Sequence, residues 1–154
     1  MKVNPMETRT PNQNIPSYYS VNEVVSQALR HHQPVVALES AVITHGLPVP
    51  QNLALALEAE SILREQGVVP ATTALLDGKV KVGMTKAELQ ALVQTAHPVK
   101  VSSRNLGICV AQKRSGGTTV AGTLVICRTA GIQVFATGGI GGVHRGSTFD
   151  VSAD

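Results

Sequence analysis

The chain has 154 residues, 43% of them hydrophobic and 15% charged, with a net charge of +3 at neutral pH. That length fits one domain with its own core, and so apolar a composition excludes a disordered chain; the usual charged share is ~25%. Lysines and arginines are scattered and aromatics make up 3% with no tryptophan, so there is neither a basic stripe nor a stacking platform for nucleic acid, and no apolar run is long enough to span a bilayer.

In chain order, residues 1–19 are polar and rich in Pro and Asn, without the apolar stretch of a signal peptide, and read as a flexible N-terminal arm. Ser20-Val21-Asn22-Glu23 has the Ser-x-x-Glu spacing of a capping box and predicts a helix to about His31. Val35–Leu38 is a short buried strand ending at Glu39. The loop from Ser40 to Pro50 carries Thr44-His45-Gly46. A helix is expected from about Gln51 to Gln66, stopped by Gly67. Val68–Leu76 reads as a strand, Asp77-Gly78 as a hairpin turn and Lys79–Val82 as its return. Thr85-Lys86-Ala87-Glu88 is a second capping box, for a helix to about Thr95 that ends before His97-Pro98. Val99–Ser102 is a short strand. Leu106–Gln112 fits strand or helix. Thr118–Ala130 reads as a helix with Val120, Leu124 and Cys127 on one face, stopped by Gly131, and Val134–Thr137 as a strand running into Gly138. Strands alternating with helices predict an α/β fold, with helices around a mostly parallel sheet. Ligands are then expected beyond the carboxyl ends of the strands.

Several residue groups carry candidate chemistry. Gly116-Gly117-Thr118-Thr119 opens a predicted helix, where free N–H groups and two hydroxyls suit a phosphate; an ordinary glycine loop with a threonine cap has the same sequence, and both readings stand. Gly138–Gly146 follows a strand, but His144 occupies the position where a dinucleotide loop needs its third glycine. His144-Arg145 points instead to an anion or a proton transfer. Asp150, Ser152 and Asp154 offer oxygen ligands for a hard cation such as Mg2+ or Mn2+, or form a plain polar terminus. A carboxylate at the end of a buried strand, as Glu39 is, loses solvation, which favours its protonated form and suits it to proton transfer; a structural hydrogen-bonded role is the alternative. Lys100 is a point charge in a strand, able to meet phosphate or simply face solvent. Cys109 and Cys127 sit in apolar runs without a CxxC pair, as buried thiols of a reducing, cytoplasmic setting do.

Taken in order, Glu39-Ser40, Thr44-His45-Gly46-Leu47-Pro48, Pro50-Gln51-Asn52, Pro70-Ala71-Thr72, Asp77-Gly78, Lys100-Val101-Ser102, Gly116–Ala121, Gly138–Gly146 and Phe149–Asp154 resemble the pseudouridine-5′-phosphate glycosidase family, which includes the indigoidine-synthase-A-like proteins. The resemblance runs from about Val35 to Asp154. It implies an α/β/α fold, a homotrimer, a divalent metal (typically Mn2+), and cleavage of the C–C glycosidic bond of pseudouridine 5′-phosphate to uracil and ribose 5-phosphate. On this likeness Glu39 is the proton donor, Lys100 and Val120 contact substrate, Asp150 holds the metal largely through waters, and Ser152, Ala153 and Asp154 line the substrate site. Thr118, Thr119 and His144 join the expected substrate contacts from their own chemistry. The family's Schiff-base lysine follows the Ser-Ala-Asp motif, and no lysine of this chain matches it. The segment Arg145–Asp150 is about two residues shorter than the family's loop. The chain therefore reads as an N-terminal portion of such an enzyme, or as a sugar-phosphate-binding fragment without turnover. The partners expected are small molecules, not nucleic acid or membrane.

Overall fold

The computed structural model describes residues 15–143, 146 and 152. It is an α/β/α sandwich, built on strands β1 (Tyr19–Val21), β2 (Val35–Leu38), β3 (Val69–Leu76), β4 (Lys79–Val82), β5 (Val99–Val101), β6 (Gly116–Thr118) and β7 (Val134–Ala136). Helices α1 (Glu23–Arg30), α2 (Gln51–Glu65), α3 (Lys86–Val93), α4 (Leu106–Ala111) and α5 (Val120–Ala130) cover it, with a short π-helix at Val42–Gly46.

Side-chain alternation along β3 assigns the two faces. Ala71 and Leu75 join Val25, Ala28, Cys109, Ile126 and Cys127 in a core under α1, α4 and α5. Ala74 joins Ile43, Ala56, Leu89 and Leu92 under the π-helix, α2 and α3. Such two-sided burial is what a central strand of an α/β sheet requires.

The sheet is mostly parallel, as expected, but it branches. The path runs β1-β4-β3-β2-β7, and β6 also pairs with β3 and carries β5. β2, β7 and β3 run one way, while β4 and β6 are antiparallel to β3. Along one edge of β3, β2 covers Val69–Thr72 and β6 covers Ala74 and Leu75. β2 and β6 therefore meet head to head. The Ser40 N–H bonds the Thr118 carbonyl at 3.3 Å, and the Thr118 N–H bonds Ser40 Oγ at 3.0 Å. Four wholly buried hydroxyls seal the junction, with Thr73 Oγ1 at 2.8 Å from Thr118 Oγ1 and 3.1 Å from Thr123 Oγ1, and Ser40 Oγ donating to the Thr73 carbonyl.

Several sequence expectations change. Ser20 does not cap a helix: it lies in β1, paired with Lys81, and the cap is Asn22, whose side chain accepts from the Val24 N–H at 2.9 Å. The pull of sheet pairing outweighs the Ser-x-x-Glu spacing. Tyr19, assigned to the arm, is paired with Val80, while residues 1–14 lie outside the described residues. Gly116–Thr118 is a strand rather than a helix-opening loop, so α5 starts at Val120 with Thr119 as its cap. On α5, Leu124 is 52% exposed, away from buried Val120 and Cys127; the inward face is completed by Thr123, Ile126 and Ala130. The ambiguous Leu106–Gln112 segment is helical, and the Asp77-Gly78 hairpin and the Thr85/Glu88 capping box form as read.

Candidate active site

The parallel register of β2 and β7 pairs Leu38 with Ala136, which brings the next residues of the two strands, Glu39 and Thr137, together at their carboxyl ends. The Thr137 hydroxyl donates to Glu39 Oε1 at 2.5 Å and also lies 2.9 Å from the Gly139 carbonyl. Its single proton can serve only one of them. With Glu39 ionised, Thr137 donates to the carboxylate. With Glu39 protonated, the carboxylic acid donates to Thr137, which turns to Gly139. Both protonation states are hydrogen-bonded, which suits a group that gives and regains a proton.

Glu39 and Thr137 border a cleft of about 500 Å³, walled by Leu38, Val42, Leu55, Ala56 and Thr72 and closed by Gly138 and Gly139. Thr72 is anchored from behind. Its hydroxyl donates to Glu60 Oε1 at 2.6 Å, and Arg64 holds the other oxygen of that buried carboxylate at 2.7 Å. The cleft is thus largely apolar with a few fixed polar groups, the usual make-up of a small-molecule site.

The remaining expected residues are placed as follows. Lys100 is exposed in the middle of β5, paired with Gly117, and is not part of the cleft wall. Thr118 and Thr119 are fully buried with their N–H groups taken by Ser40 Oγ and the Val101 carbonyl; the Thr118 hydroxyl joins the junction, and Thr119 Oγ1 accepts from the Gly122 N–H at 3.2 Å. Gly116 and Gly117 are explained by packing. An added Cβ would run into the Val99 backbone at one position and into the Ser40 backbone and Thr44 at the other. Val120 is buried at the start of α5. Ser152 donates its N–H to the Gly142 carbonyl at 2.8 Å. His144, Asp150, Ala153 and Asp154 lie outside the described residues. The sequence reading passed over Thr137; its signal was a hydroxyl at a strand end just before a glycine loop.

Among the described residues no three His, Cys, Asp or Glu side chains gather, and Glu39 is the only carboxylate on the cleft wall. These residues do not by themselves hold a divalent cation. Nor, among the described residues, is any helix long and apolar enough to cross a membrane.

Residues 24–154 match the family described as indigoidine synthase A like protein. The chain belongs to this family. Within it, the chain is 52% identical over 132 residues to a pseudouridine-5′-phosphate glycosidase of Mycoplasmopsis agalactiae, covering 84% of this chain and 44% of the relative. It is 52% identical over 142 residues to the Escherichia coli protein of that name, covering 90% and 46%. Among solved structures, a prealnumycin C-glycosynthase in complex with ribulose 5-phosphate superposes with a TM-score of 0.77 at 41% identity, over 89% of this chain and 45% of the other. An indigoidine synthase A-like protein of Thermotoga maritima gives 0.72 at 41% identity, over 77% and 40%. The chain thus spans less than half the length of these relatives.

Proposed function

We propose that this chain forms the N-terminal half of a pseudouridine-5′-phosphate glycosidase, which cleaves the C–C glycosidic bond of pseudouridine 5′-phosphate to uracil and ribose 5-phosphate. The observation that carries this reading is Glu39, hydrogen-bonded to Thr137 at the mouth of an apolar cleft beyond the carboxyl ends of β2 and β7. Half-identity to relatives of that name supports the substrate class. Glu39 delivers the proton that opening of the ribose ring needs, and Thr137 takes up the slack in hydrogen bonding when the proton leaves. Lys100, Val120, His144, Ser152, Ala153 and Asp154 belong to the proposal as substrate contacts, with the buried Thr118 and Thr119 supporting the strand end behind them. Cleaving a C–C bond also needs an electron sink, supplied by an amine as a Schiff base with C1 of the opened sugar. Among the described residues no lysine lines the cleft.

That gap favours a second reading, in which this chain alone binds the sugar phosphate without turnover. Two assays separate them. Fused to the C-terminal half of the Escherichia coli relative, the chain should release uracil from pseudouridine 5′-phosphate, and Glu39→Gln should slow release about 10²–10⁴-fold. A fusion that melts cooperatively yet releases no uracil would falsify the glycosidase reading. The unfused chain is expected to release none, and borohydride should trap no adduct with ribose 5-phosphate. The metal, Mn2+ or Mg2+ on Asp150, is also part of the proposal; Mn2+ titration of the chain against Asp150→Asn tests it, and equal affinities would remove Asp150 as the ligand. A homotrimer and a reducing cytoplasmic setting complete the reading. The unpaired buried thiols Cys109 and Cys127 support the setting, and sedimentation at three times the protomer mass would support the trimer.

A further inference from the structure

Away from the cleft lies a second cavity, of about 210 Å³, where the starts of α1 and α3 meet the last turn of α2 and the amino end of β3. It shares no wall residue with the cleft. The local sequence builds it. Gly83 turns the chain after β4 at φ +77°, and an added Cβ would lie 2.5 Å from Val25 Cγ2 and 3.0 Å from Asn22 Cβ. Only a residue without a side chain lets the start of α1 come this close to the turn. Asn22 and Thr85, the caps of α1 and α3, thereby border one space.

The polar side chains of this wall have spent their acceptors and kept donors in hand. Asn22 Oδ1 accepts from the Val24 N–H at 2.9 Å, which leaves its NH2 group without a partner among the described residues. Thr85 Oγ1 is committed to Glu88, accepting from its N–H at 3.2 Å and donating to Oε2 at 3.0 Å. One amino group of Arg64 holds Glu60 at 2.7 Å, and the rest of the guanidinium has no partner among the described residues. Lys86 makes no ion pair among them either, and no carboxylate lines the cavity. Two cations and an amide donor thus border a space that holds no anion of the protein's own. A guanidinium fork beside an ammonium suits the oxygens of a phosphate. The volume is below the ~300 Å³ at which drug-sized sites begin, which leaves room for little beyond the anion itself.

We propose that this cavity is a second ligand site, for a small phosphate-type oxyanion, separate from the Glu39 cleft. It does not depend on the glycosidase reading. Arg64 stands between the two sites, since the guanidinium that meets the occupant also holds Glu60, which grips Thr72 in the cleft wall. The probe is inorganic phosphate, titrated into this chain against chloride at constant ionic strength and followed by amide NMR spectra, which separate this cavity from the cleft. Saturable shifts are expected at Asn22, Gly83 and Lys86, and Lys86→Met should weaken the affinity they report about tenfold. Asn22→Asp keeps the cap acceptor and suits the start of a helix, but it puts a repelling carboxylate where a donor stood, so saturation should be lost. Lys100→Met, which is not on this wall, should leave the shifts as they are. Unchanged melting temperatures in all three variants will show that the losses are not unfolding. Shifts that grow without saturating, or that keep wild-type affinity in Asn22→Asp, overturn the proposal.

Discussion

Three glutamates show how placement decides the use of one side chain. Glu39 sits half-buried at a strand end with a hydroxyl that serves either of its protonation states. Glu60 is 2% exposed and works purely as an anchor, gripping Thr72 below the cleft. Thr72→Val leaves Glu60 Oε1 without its donor, and the expected cost is about 1–3 kcal/mol, read by urea denaturation. A cost near zero would mean the contact anchors nothing. Glu88 is held on α3. Burial works against its charge, but the Lys81 ammonium at 2.8 Å and the Thr85 hydrogen bonds prevail and keep its carboxyl below the usual range. A carboxyl lowered in the folded state adds stability above its unfolded value and loses it as pH falls through the folded one. Melting temperature should therefore drop as pH falls below about 4.5, and Glu88→Gln should flatten part of that slope. An unchanged slope in the variant would assign the acid sensitivity elsewhere.

The elements show why some of the sequence was legible and some was not. Hairpins and capping boxes depend on a few adjacent residues, so Asp77-Gly78 and Thr85/Glu88 declared themselves. Ser20 misled because its partner is distant: β4 claims it through pairing with Lys81. The Glu39 site was half legible. A carboxylate after an apolar run stands out, but Thr137 reaches it only through the register of two strands about 100 residues apart in sequence, which no local pattern encodes. The Gly116-Gly117 pair was ambiguous for the same reason, since the backbones that crowd it come from β5 and from the segment after β2. The glycines can be told apart by experiment. Gly116→Ala must push against the Val99 backbone and is expected to cost more than about 2 kcal/mol, whereas Gly138→Ala meets nothing within 4 Å and should stay near neutral. Equal losses at the two positions would contradict the packing explanation.

At the scale of the whole molecule, the three layers place the cleft on one side. The α1, α4 and α5 face is packed core, while the α2 and π-helix face carries the cleft. The thiols lie in the packed layer, where burial pushes Cys127 up to about 11. A thiol held so far above neutrality is mostly protonated and unreactive. Iodoacetamide at pH 8 should therefore not label Cys127 until the protein unfolds, burial alone should shield Cys109, and labelling should track the urea transition. Rapid labelling of the native protein would show that this layer opens locally.

The branched sheet also sets an order of assembly. Among the described residues β3 is the one strand bonded to three others, and only β4 joins it through a tight turn. The β3–β4 hairpin closes a tight loop and can form within microseconds, whereas β2, β6 and β7 arrive through long loops whose closure costs entropy before any pairing rewards it. The hairpin is thus the natural nucleus, and the Glu39–Thr137 site, which waits for β7, is built after it. In native-state hydrogen exchange, β3 amides should be the slowest to exchange and those of β7 among the fastest. On this topology, Glu39 acquires its Thr137 partner only once β7 has docked on β2.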